Sequence, residues 1–344
     1  MLRTWQRRCI SIGILCSTTA GMIVLFLPAV CILFLADLAR DRRFPRLRAY
    51  LLILFYCFWE LLGVTAAFLV WAVHKSLPGK DQGRFLYWNY ALQQLWVYGF
   101  ARVGLFLFSM TFRVETGEYA FGDRPILLLV RHTSLADTIL ATYLMRIQRN
   151  FRLRYVMKRE LLWDPCLDIV GNRLPNYFVD RNSADTRQEA ESIAVLADDL
   201  QAGEGVILWP ESTRFSAEKR TRALERLRER GDADLLKIAT GLQYVLPPRL
   251  LGVSSLLERN PDLDVFFCAH TGFENAASFK DFFGGAMIGR EIRARLWGYP
   301  AGEVPRERES QQKWFFETWR QVDDFVRSTK EVAACGSEQR IFDP

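Results

Sequence analysis

The 344-residue sequence predicts an α/β fold in which helices flank a mixed sheet, preceded by an N-terminal membrane-embedded helical hairpin. Two observations lead to this fold class. Hydrophobic residues make up 50% of the chain, and most of the excess lies in the first 75 residues. From about residue 114 onward, short apolar runs alternate with helical patterns, as in sheets covered by helices. We therefore divide the chain into a membrane-anchoring hairpin (1–80), an α/β domain (81–330) and a C-terminal tail (331–344).

Both apolar segments of the hairpin are long enough to enter a bilayer. Residues 9–36 contain no charged side chain, and at about 1.5 Å per residue a helix of this length exceeds a hydrocarbon core of about 30 Å. A second apolar segment, residues 50–73, follows closely. The length of the first run and the presence of the second disfavour a secretory signal peptide.

The connection between the two segments creates a conflict about topology. It carries five arginines, namely Arg40, Arg42, Arg43, Arg46 and Arg48. If both segments span, these arginines lie opposite the large C-terminal region, whereas the positive-inside rule places arginines in the cytoplasm. Glu60, near the middle of the second segment, would also cost roughly 2.5–3.5 kcal/mol at the bilayer centre. A hairpin that dips into one leaflet, or a partner for Glu60, would remove the conflict, so spanning and re-entrant hairpins both stay open.

The composition excludes several function classes. A net charge of +6 beside apolar segments points to anionic lipid surfaces or phosphate-bearing ligands. The sequence has no zinc-finger, basic-zipper or RNA-binding signature, so we expect no nucleic-acid partner. The seven cysteines are scattered without a C-x-x-C pair, which argues against a disulfide framework and against a structural metal site.

The elements of the α/β domain follow from hydrophobic periodicity and turn signals. Strands are predicted at 125–130, 153–157, 176–180, 205–209, 244–247, 263–270 and 286–297. Helices are predicted at 135–148, 159–168, 183–202, 218–230, 233–242 and 309–328. The stretch 84–113 fits an amphipathic helix pair on the membrane or, equally, an ordinary buried helix. Residues 330–344 are expected to form a frayed tail.

The strand at 125–130 is followed by His132 and Asp137, a candidate general base and its orienting carboxylate. The chain has only three histidines, His74, His132 and His270, so few side chains could act as a base near neutral pH. Positions five apart lie about 140° apart on a helix, so the two side chains can meet only if His132 lies in the turn before the helix. Ser134 and Asp137 also have capping-box spacing. The local pattern alone therefore fits catalysis and an ordinary helix cap.

Charged residues also follow the next predicted strands. These segments are Lys158 to Leu161, Asp180-Arg181, Glu211-Ser212-Thr213-Arg214 and Val245 to Arg249. In open α/β sheets, ligands bind at the carboxyl ends of the strands. The pattern therefore places one histidine, carboxylates and several cations where a ligand would bind.

The order of these motifs resembles the glycerophospholipid acyltransferase family, whose best-known members acylate lysophosphatidic acid. The family's H-x4-D motif is matched by His132 and Asp137, and its strand ending in Asp-Arg by Asp180 and Arg181. Its E-G-T-R motif corresponds to Glu211-Ser212-Thr213-Arg214, and its proline-bearing strand to Val245 to Pro248. Lys158, Glu160, Leu161 and Pro165 also agree with the family pattern. The resemblance covers roughly residues 85–300.

This resemblance implies a membrane-bound O-acyltransferase that moves a fatty acyl group from acyl-CoA or acyl carrier protein to lysophosphatidic acid, giving phosphatidic acid. His132 would be the general base and Asp137 its partner, with amides at the start of the following helix as a possible oxyanion site. The expected substrate-binding residues are Lys158, Asp180, Arg181, Glu211, Ser212, Thr213 and Arg214. Among these, Arg181 and Arg214 are the preferred phosphate ligands, because a guanidinium group binds phosphate bidentately.

The resemblance also sets expectations for partners and location. The partners would be lysophospholipid, acyl thioester and membrane lipids, with no cofactor and no metal. We expect an integral membrane protein whose catalytic region faces the cytoplasm, at a bacterial inner membrane or, in a eukaryote, at the endoplasmic reticulum. Two alternatives stay open: acylation of another lysophospholipid headgroup, and a non-catalytic lipid-binding protein. A hydrolase is disfavoured, because the sequence has no G-x-S-x-G motif.

Two residues depart from the family pattern. Arg131 replaces the asparagine often found before the histidine, and Ser212 replaces the usual glycine. Serine is less free than glycine to adopt a positive φ, so we expect the pose of the ligand to be affected more than the class of reaction. His270 is expected to be a packed residue at a strand end.

Overall fold

The computed structural model describes residues 3–79, 81–119, 121–134, 136–149, 151–180, 186–274 and 279–339. The helices are α1 (Thr4–Val24), α2 (Phe26–Arg40), α3 (Pro45–Ser76), α4 (Gln82–Leu107), α5 (Ala136–Arg149), α6 (Pro165–Gly171), α7 (Thr186–Ala194), α8 (Ala217–Glu229), α9 (Ala233–Gly241), α10 (Leu251–Arg259), α11 (Phe279–Phe283) and α12 (Arg308–Gln339). The strands are β1 (Thr111–Thr116), β2 (Ile126–Val130), β3 (Arg152–Lys158), β4 (Tyr177–Val179), β5 (Glu204–Leu208), β6 (Asp264–Thr271) and β7 (Glu291–Tyr299).

The chain divides into two compact units. The first unit comprises Met1–Thr111, Thr138–Ser183 and Asn275–Arg290, and the second comprises Phe112–Asp137, Ala184–Glu274 and Glu291–Pro344. The first unit therefore contains the N-terminal helices together with β3 and β4, and the second contains the remaining strands.

The second unit is built on a mixed sheet with strand order β1-β7-β6-β2-β5. The central strand β2 runs parallel to β5 and β6, whereas β7 runs antiparallel to β6. All five residues of β2 are buried, as expected of a continuous apolar run covered on both faces. On β6, the rings of Phe315 and Trp319 from α12 pack around Phe267. The predicted fold class, a mixed sheet flanked by helices, is confirmed.

The first unit is dominated by long apolar helices. α1 and α2 are separated at Leu25, and both pack against α3. The Asp37 carboxylate accepts the Leu47 N–H (3.0 Å) and an Arg46 hydrogen bond (3.2 Å), which caps the first turn of α3. α3 then packs on α4, where Gly99 leaves room for the Trp59 ring.

The apolar N-terminal segments are helical, as the sequence predicts, but the first of them, 9–36, is divided between α1 and α2 at Leu25, so the described residues 3–79 contain three helices rather than two. α1 and α3 are long and apolar enough to cross a membrane by length and composition. Only 17% and 22% of their most apolar windows are buried, which distinguishes them from the core helices of a soluble protein. Their exposed apolar surfaces are consistent with membrane association.

Several predicted elements differ from the structure. The strand predicted at 244–247 is an irregular segment, and the strand predicted at 286–297 begins only at Glu291. The stretch 84–113 forms one helix, α4, followed by the strand β1, rather than a helix pair. α10 was not predicted, and α12 continues to Gln339 through most of the expected tail. Residues 340–344 lie outside the described residues.

The segment at 244–247 is not a strand because side chains satisfy its backbone groups. The N–H groups of Gln243, Tyr244 and Val245 all donate to one oxygen of Asp323 on α12. Two prolines follow directly at 247 and 248, and proline has no N–H to donate to a neighbouring strand. The apolar pattern was therefore a sign of burial rather than of sheet pairing.

Candidate active site

The His132 and Asp137 side chains meet at the carboxyl end of β2. His132 Nδ1 lies 3.1 Å from Asp137 Oδ2. The two residues can meet because His132 precedes α5, whereas Asp137 lies in the first turn of that helix. The predicted geometry of this pair is therefore confirmed, and the bend between strand and helix is what produces it.

Asp137 is a fully buried carboxylate with many hydrogen-bond donors. Its oxygens accept the backbone N–H groups of Thr133 and Ser134 (2.8 Å from Ser134) and the hydroxyl groups of the same two residues (3.0 and 3.2 Å). Burial alone would raise the pKa of Asp137, but His270, the His132 ring and the Ser134 N–H together lower it. The carboxylate therefore caps the helix and orients the histidine at once.

The hydrogen bonds of Asp137 fix the roles of the two His132 ring nitrogens. An ionised carboxylate can only accept, so Nδ1 carries the proton and Nε2 is left with a lone pair. The His132 side chain is 15% exposed, which leaves the ring within reach of a ligand. Nε2 can thus act as a proton acceptor, as a general base requires. The Thr133 and Ser134 amides, which precede the helix, already donate to Asp137 and are not an oxyanion site in this arrangement.

Glu211, at the end of β5, holds the main chain beside the base. It is 2% exposed, and its two oxygens accept the backbone N–H groups of His132 (2.8 Å) and Leu246 (3.0 Å). Burial raises the pKa of Glu211 to about 7, against the opposing effects of Arg131 and the two N–H donors. The sequence predicts contact with substrate or with the arginines, whereas in the structure both oxygens bind backbone.

The segment 243–248 depends on Asp323, a residue that sequence analysis did not select. Asp323 lies on the buried face of α12 and is 3% exposed. It anchors the backbone up to Val245, directly before the residue that binds Glu211. A polar residue on an otherwise apolar helix stripe was the signal that could have identified it.

The segment Ser212-Thr213-Arg214 is held in place by α8. Ser216 caps this helix by accepting the Lys219 N–H. Lys219 Nζ in turn donates to Thr213 Oγ1 and to the Arg214 carbonyl, both at 3.0 Å. The Arg214 side chain is exposed. This arrangement presents a guanidinium group on an anchored turn.

Ser212 adopts a left-handed backbone conformation with φ of +58°. Serine thus adopts the positive φ here although it is less free than glycine to do so. Its N–H donates to the Trp209 carbonyl at 2.9 Å, which closes the turn after β5. The turn retains the conformation that glycine would favour, and the serine bears the strain.

Arg131, the second departure from the family pattern, is buried within the second unit. One guanidinium nitrogen donates to the His270 carbonyl and to Glu274, each at 2.6 Å, and another donates to the Tyr244 carbonyl at 3.2 Å. Burial opposes ionisation of Glu274, but the adjacent Arg131 lowers its pKa. Arg131 therefore ties three chain segments together.

Two further candidates, Lys158 and Asp180, lie in the first unit at the ends of adjacent parallel strands. Lys158 is paired in register with Val179, directly before Asp180. Arg159 donates to the Asp180 carboxylate at 3.1 Å, so an ion pair forms at this edge. Arg181, the predicted partner of that carboxylate, lies outside the described residues. The roles of these residues stay predictions.

Metal ligation finds no support in the described part of the chain, where no group of three or more His, Cys, Asp or Glu side chains could hold an ion. The His132–Asp137 pair is suited to proton transfer.

Comparison with known proteins agrees with this arrangement. A family model described as Acyltransferase matches residues 111–247, which include His132, Asp137 and the segment 211–214. A search of curated proteins finds no match. The solved structure of the 1-acyl-sn-glycerophosphate (LPA) acyltransferase PlsC from Thermotoga maritima has a similar fold, with a TM-score of 0.52 and 14% sequence identity. The match covers 82% of this chain and 98% of that one. Residues 111–247 therefore carry an Acyltransferase-family domain, and the chain shares the fold of a solved acyltransferase.

Proposed function

We propose that this protein transfers a fatty acyl group from a thioester to the free hydroxyl of lysophosphatidic acid, giving phosphatidic acid. The observation that carries the proposal is the His132–Asp137 pair, with Nδ1 held by a buried carboxylate inside a segment that matches the Acyltransferase family. The name of the Thermotoga maritima relative supports this acceptor. Acylation of another lysophospholipid headgroup is the second candidate.

The geometry supports a direct transfer without a covalent enzyme intermediate. His132 Nε2 takes the proton of the acceptor hydroxyl as its oxygen attacks the thioester carbonyl carbon. Asp137 stabilises the resulting imidazolium through Nδ1–H. The tetrahedral intermediate then collapses with cleavage of the carbon–sulfur bond, and the imidazolium returns the proton to the departing thiolate. General-base assistance of this kind contributes about 10²–10⁴-fold to the rate.

We assign binding of the acceptor phosphate to the 212–214 turn. Arg214 offers a planar guanidinium that suits phosphate oxygens, and Lys219 holds the turn through Thr213 and the Arg214 carbonyl. Arg181 and Lys158 stay predicted substrate-binding residues, as the family resemblance implies. The thioester donor is acyl-CoA or acyl carrier protein.

We further propose that the N-terminal helices hold the protein on the membrane that contains its substrate. Val24, Leu27 and Ile32 are 79%, 73% and 66% exposed, which is unfavourable for apolar side chains in water. The catalytic region would face the cytoplasm, at a bacterial inner membrane or at the endoplasmic reticulum in a eukaryote.

The packing of α3 supports a re-entrant hairpin over a spanning one. In the middle of α3, Glu60 Oε2 accepts the Cys166 N–H at 3.2 Å, and Tyr56 donates to Asp164. Beside them on α6, Asp168 is paired with Arg7 at 2.8 Å and with Arg8 at 3.1 Å. If α3 crossed a bilayer at its midpoint, these charged groups would enter the hydrocarbon core, at a cost of several kcal/mol (about 2.5–3.5 per central charge).

The activity can be tested with purified protein, a panel of lysophospholipids, and acyl-CoA and acyl-carrier-protein donors. We expect transfer to lysophosphatidic acid, and a loss of at least about 100-fold in His132→Ala. His74→Ala, in α3 of the first unit, is the matched control and should retain activity. Transfer only to other headgroups would favour the second candidate. Absence of transfer to every acceptor, or full activity in His132→Ala, would contradict the proposal.

A further inference from the structure

His270 lies behind the catalytic pair, on the buried strand β6. Its side chain is 0% exposed, and Nε2 lies 2.8 Å from the Arg131 carbonyl oxygen and 3.6 Å from Asp137 Oδ1. Since a carbonyl can only accept, Nε2 carries the proton. Nδ1 has no hydrogen-bond partner among the described residues, and burial lowers the pKa of His270. The ring is therefore neutral, with its N–H directed at the residue that precedes His132.

The backbone and side chains of residues 131 and 270 bind each other in both directions. The His270 ring donates to the Arg131 carbonyl, and the Arg131 guanidinium donates to the His270 carbonyl at 2.6 Å. Because Arg131 is adjacent to the proposed base, this reciprocal pair fixes the main chain from which the His132 side chain projects.

A packing role alone does not account for a histidine at this position. The preceding residues of β6, from Val265 to Ala269, are all apolar and buried. Leucine or phenylalanine would fill the same space without burying a polar ring that leaves one nitrogen unsatisfied. Unlike leucine or phenylalanine, histidine places a protonated nitrogen, Nε2, 3.6 Å from Asp137 Oδ1.

We infer that His270 is a positioning residue for the His132–Asp137 pair. The His270 Nε2–H donates to the Arg131 carbonyl, and its dipole stabilises the negative charge on Asp137 Oδ1. The position of the His132 ring and its basicity therefore both depend on His270. The kinetic part of this inference rests on the proposed acyl transfer. The charged groups that act on His270 from the surrounding segments are Asp137, Arg131 and Glu274.

The chain is well suited to a direct test, because it contains only three histidines. We would label histidine with 15N in the full-length protein in detergent micelles and follow the ring of His132 by NMR titration, using His74→Gln and His132→Gln for assignment. In His270→Leu the Asp137 carboxylate loses the nearby Nε2–H dipole, which lies 3.6 Å away and is not hydrogen-bonded to it, so the titration midpoint of His132 should rise by roughly 0.5 pH unit. In His270→Gln the amide N–H takes the place of Nε2–H, and the midpoint should stay near the wild-type value.

The same variants give a kinetic readout. We expect His270→Leu to lower kcat about tenfold with the KM for lysophosphatidic acid unchanged, and His270→Gln to recover most of that loss. Phe273→Leu is the control for loosened packing, because the Phe273 ring contacts the His270 ring edge-on at a centroid distance of 6.0 Å. It should move neither the midpoint nor kcat.

An unchanged or lowered His132 midpoint in folded His270→Leu would overturn the inference, as would an equal shift in Phe273→Leu. If His270→Leu does not fold, His270→Gln decides: a wild-type midpoint and kcat support the inference, and a clear change in both overturns it. Failure of the proposed function is recognised separately, by wild-type protein without transfer or by His132→Ala with full transfer. The NMR readout remains valid in either case.

Discussion

Ser212 bears backbone strain in the turn after β5. With φ of +58°, its backbone lies in the left-handed region that costs an L-residue about 1–2 kcal/mol relative to glycine. The turn joins buried Glu211 to the segment that carries Arg214. We therefore expect serine at this position to lower stability relative to glycine.

Replacing Ser212 with glycine should relieve this strain. We expect Ser212→Gly to raise the free energy of unfolding by about 1 kcal/mol, after allowing for the greater freedom of glycine in the unfolded chain. Denaturant unfolding in micelles would measure it. Ser212→Ala keeps the Cβ atom and removes only the hydroxyl, so its stability should stay near wild type. Equal stabilisation by alanine and glycine would show that the backbone is not the cause.

Glu211 combines burial with backbone binding, and its titration should be visible in the stability of the protein. Its folded pKa of about 7 lies above the ordinary 4.5 of a glutamate, so the unfolded chain releases this proton at lower pH than the folded one. The favourable contribution of the protonated group is thus complete below pH 4.5 and is lost as the pH rises through 7.

We therefore expect wild type to lose stability relative to Glu211→Gln between pH 5 and pH 8, by roughly 3 kcal/mol. Unfolding of both proteins across this range would measure the difference. Burial lowers the pKa of His270, which changes the free energy of unfolding with pH in the opposite direction. This contribution is the same in both proteins, so it cancels when their free energies of unfolding are subtracted. A constant difference from pH 5 to pH 8 would contradict the shifted titration.

At the scale of elements, α12 does more than cover the sheet. Trp319 fills the space beside Phe267 and donates to the Leu246 carbonyl at 3.1 Å, while Asp323 binds the backbone just before that residue. The helix therefore shapes the segment that meets Glu211. Asp323 binds the Val245 N–H, and Glu211 binds the N–H groups of Leu246 and His132. Asp323 on α12 is thereby connected to the main chain of His132.

Removing the Asp323 carboxylate should destabilise this segment. Asp323→Ala leaves three backbone N–H groups, those of residues 243, 244 and 245, without their acceptor. We expect a loss of about 3 kcal/mol in the free energy of unfolding, together with reduced acyl transfer. Asp324→Ala, which removes an exposed partner of Arg327, is the matched control and should change stability by less than about 0.5 kcal/mol. Comparable effects of the two variants would exclude a special role for Asp323.

At the scale of the whole molecule, the contacts of the arginines and of Glu60 bear on the proposed membrane association. Three of the five arginines in the connection between the apolar segments have partners in the first unit: Arg43 pairs with Asp41, Arg46 with Asp37, and Arg48 binds the end of α4. Glu60, the costly charge of the second segment, binds the Cys166 N–H. Contacts within the protein therefore neutralise or bind three of the arginines and also bind Glu60, the two features that made the membrane topology of the hairpin ambiguous.

A re-entrant hairpin predicts that the arginine-rich connection and the catalytic region lie on the same side of the membrane. In a chain with its native cysteines replaced, Arg42→Cys and, separately, Glu225→Cys on α8 would be exposed to a membrane-impermeant thiol reagent in sealed vesicles. We expect both cysteines to be labelled from the same face. Labelling of Arg42→Cys only from the opposite face would establish a spanning hairpin.

Much of the fold and part of the site could be predicted from the sequence. Local periodicity determined most strands and helices of the α/β domain, because continuous apolar runs such as 126–130 can only be buried. The order of motifs identified the His132–Asp137 pair, and the spacing required His132 to precede α5. The scattered charges and apolar segments limited the partners to lipids and anionic ligands.

Only the tertiary structure decided what each polar group binds. The partners of Glu211, Asp323 and His270 lie between 35 and 139 positions away in sequence, so no local pattern could reveal them. The long-range hydrogen bonds of Asp323 also explain why 244–247 is not a strand. Periodicity indicates whether a residue is buried, whereas hydrogen-bond partners depend on which distant segments the fold brings together, and in this protein those partners hold the main chain at His132.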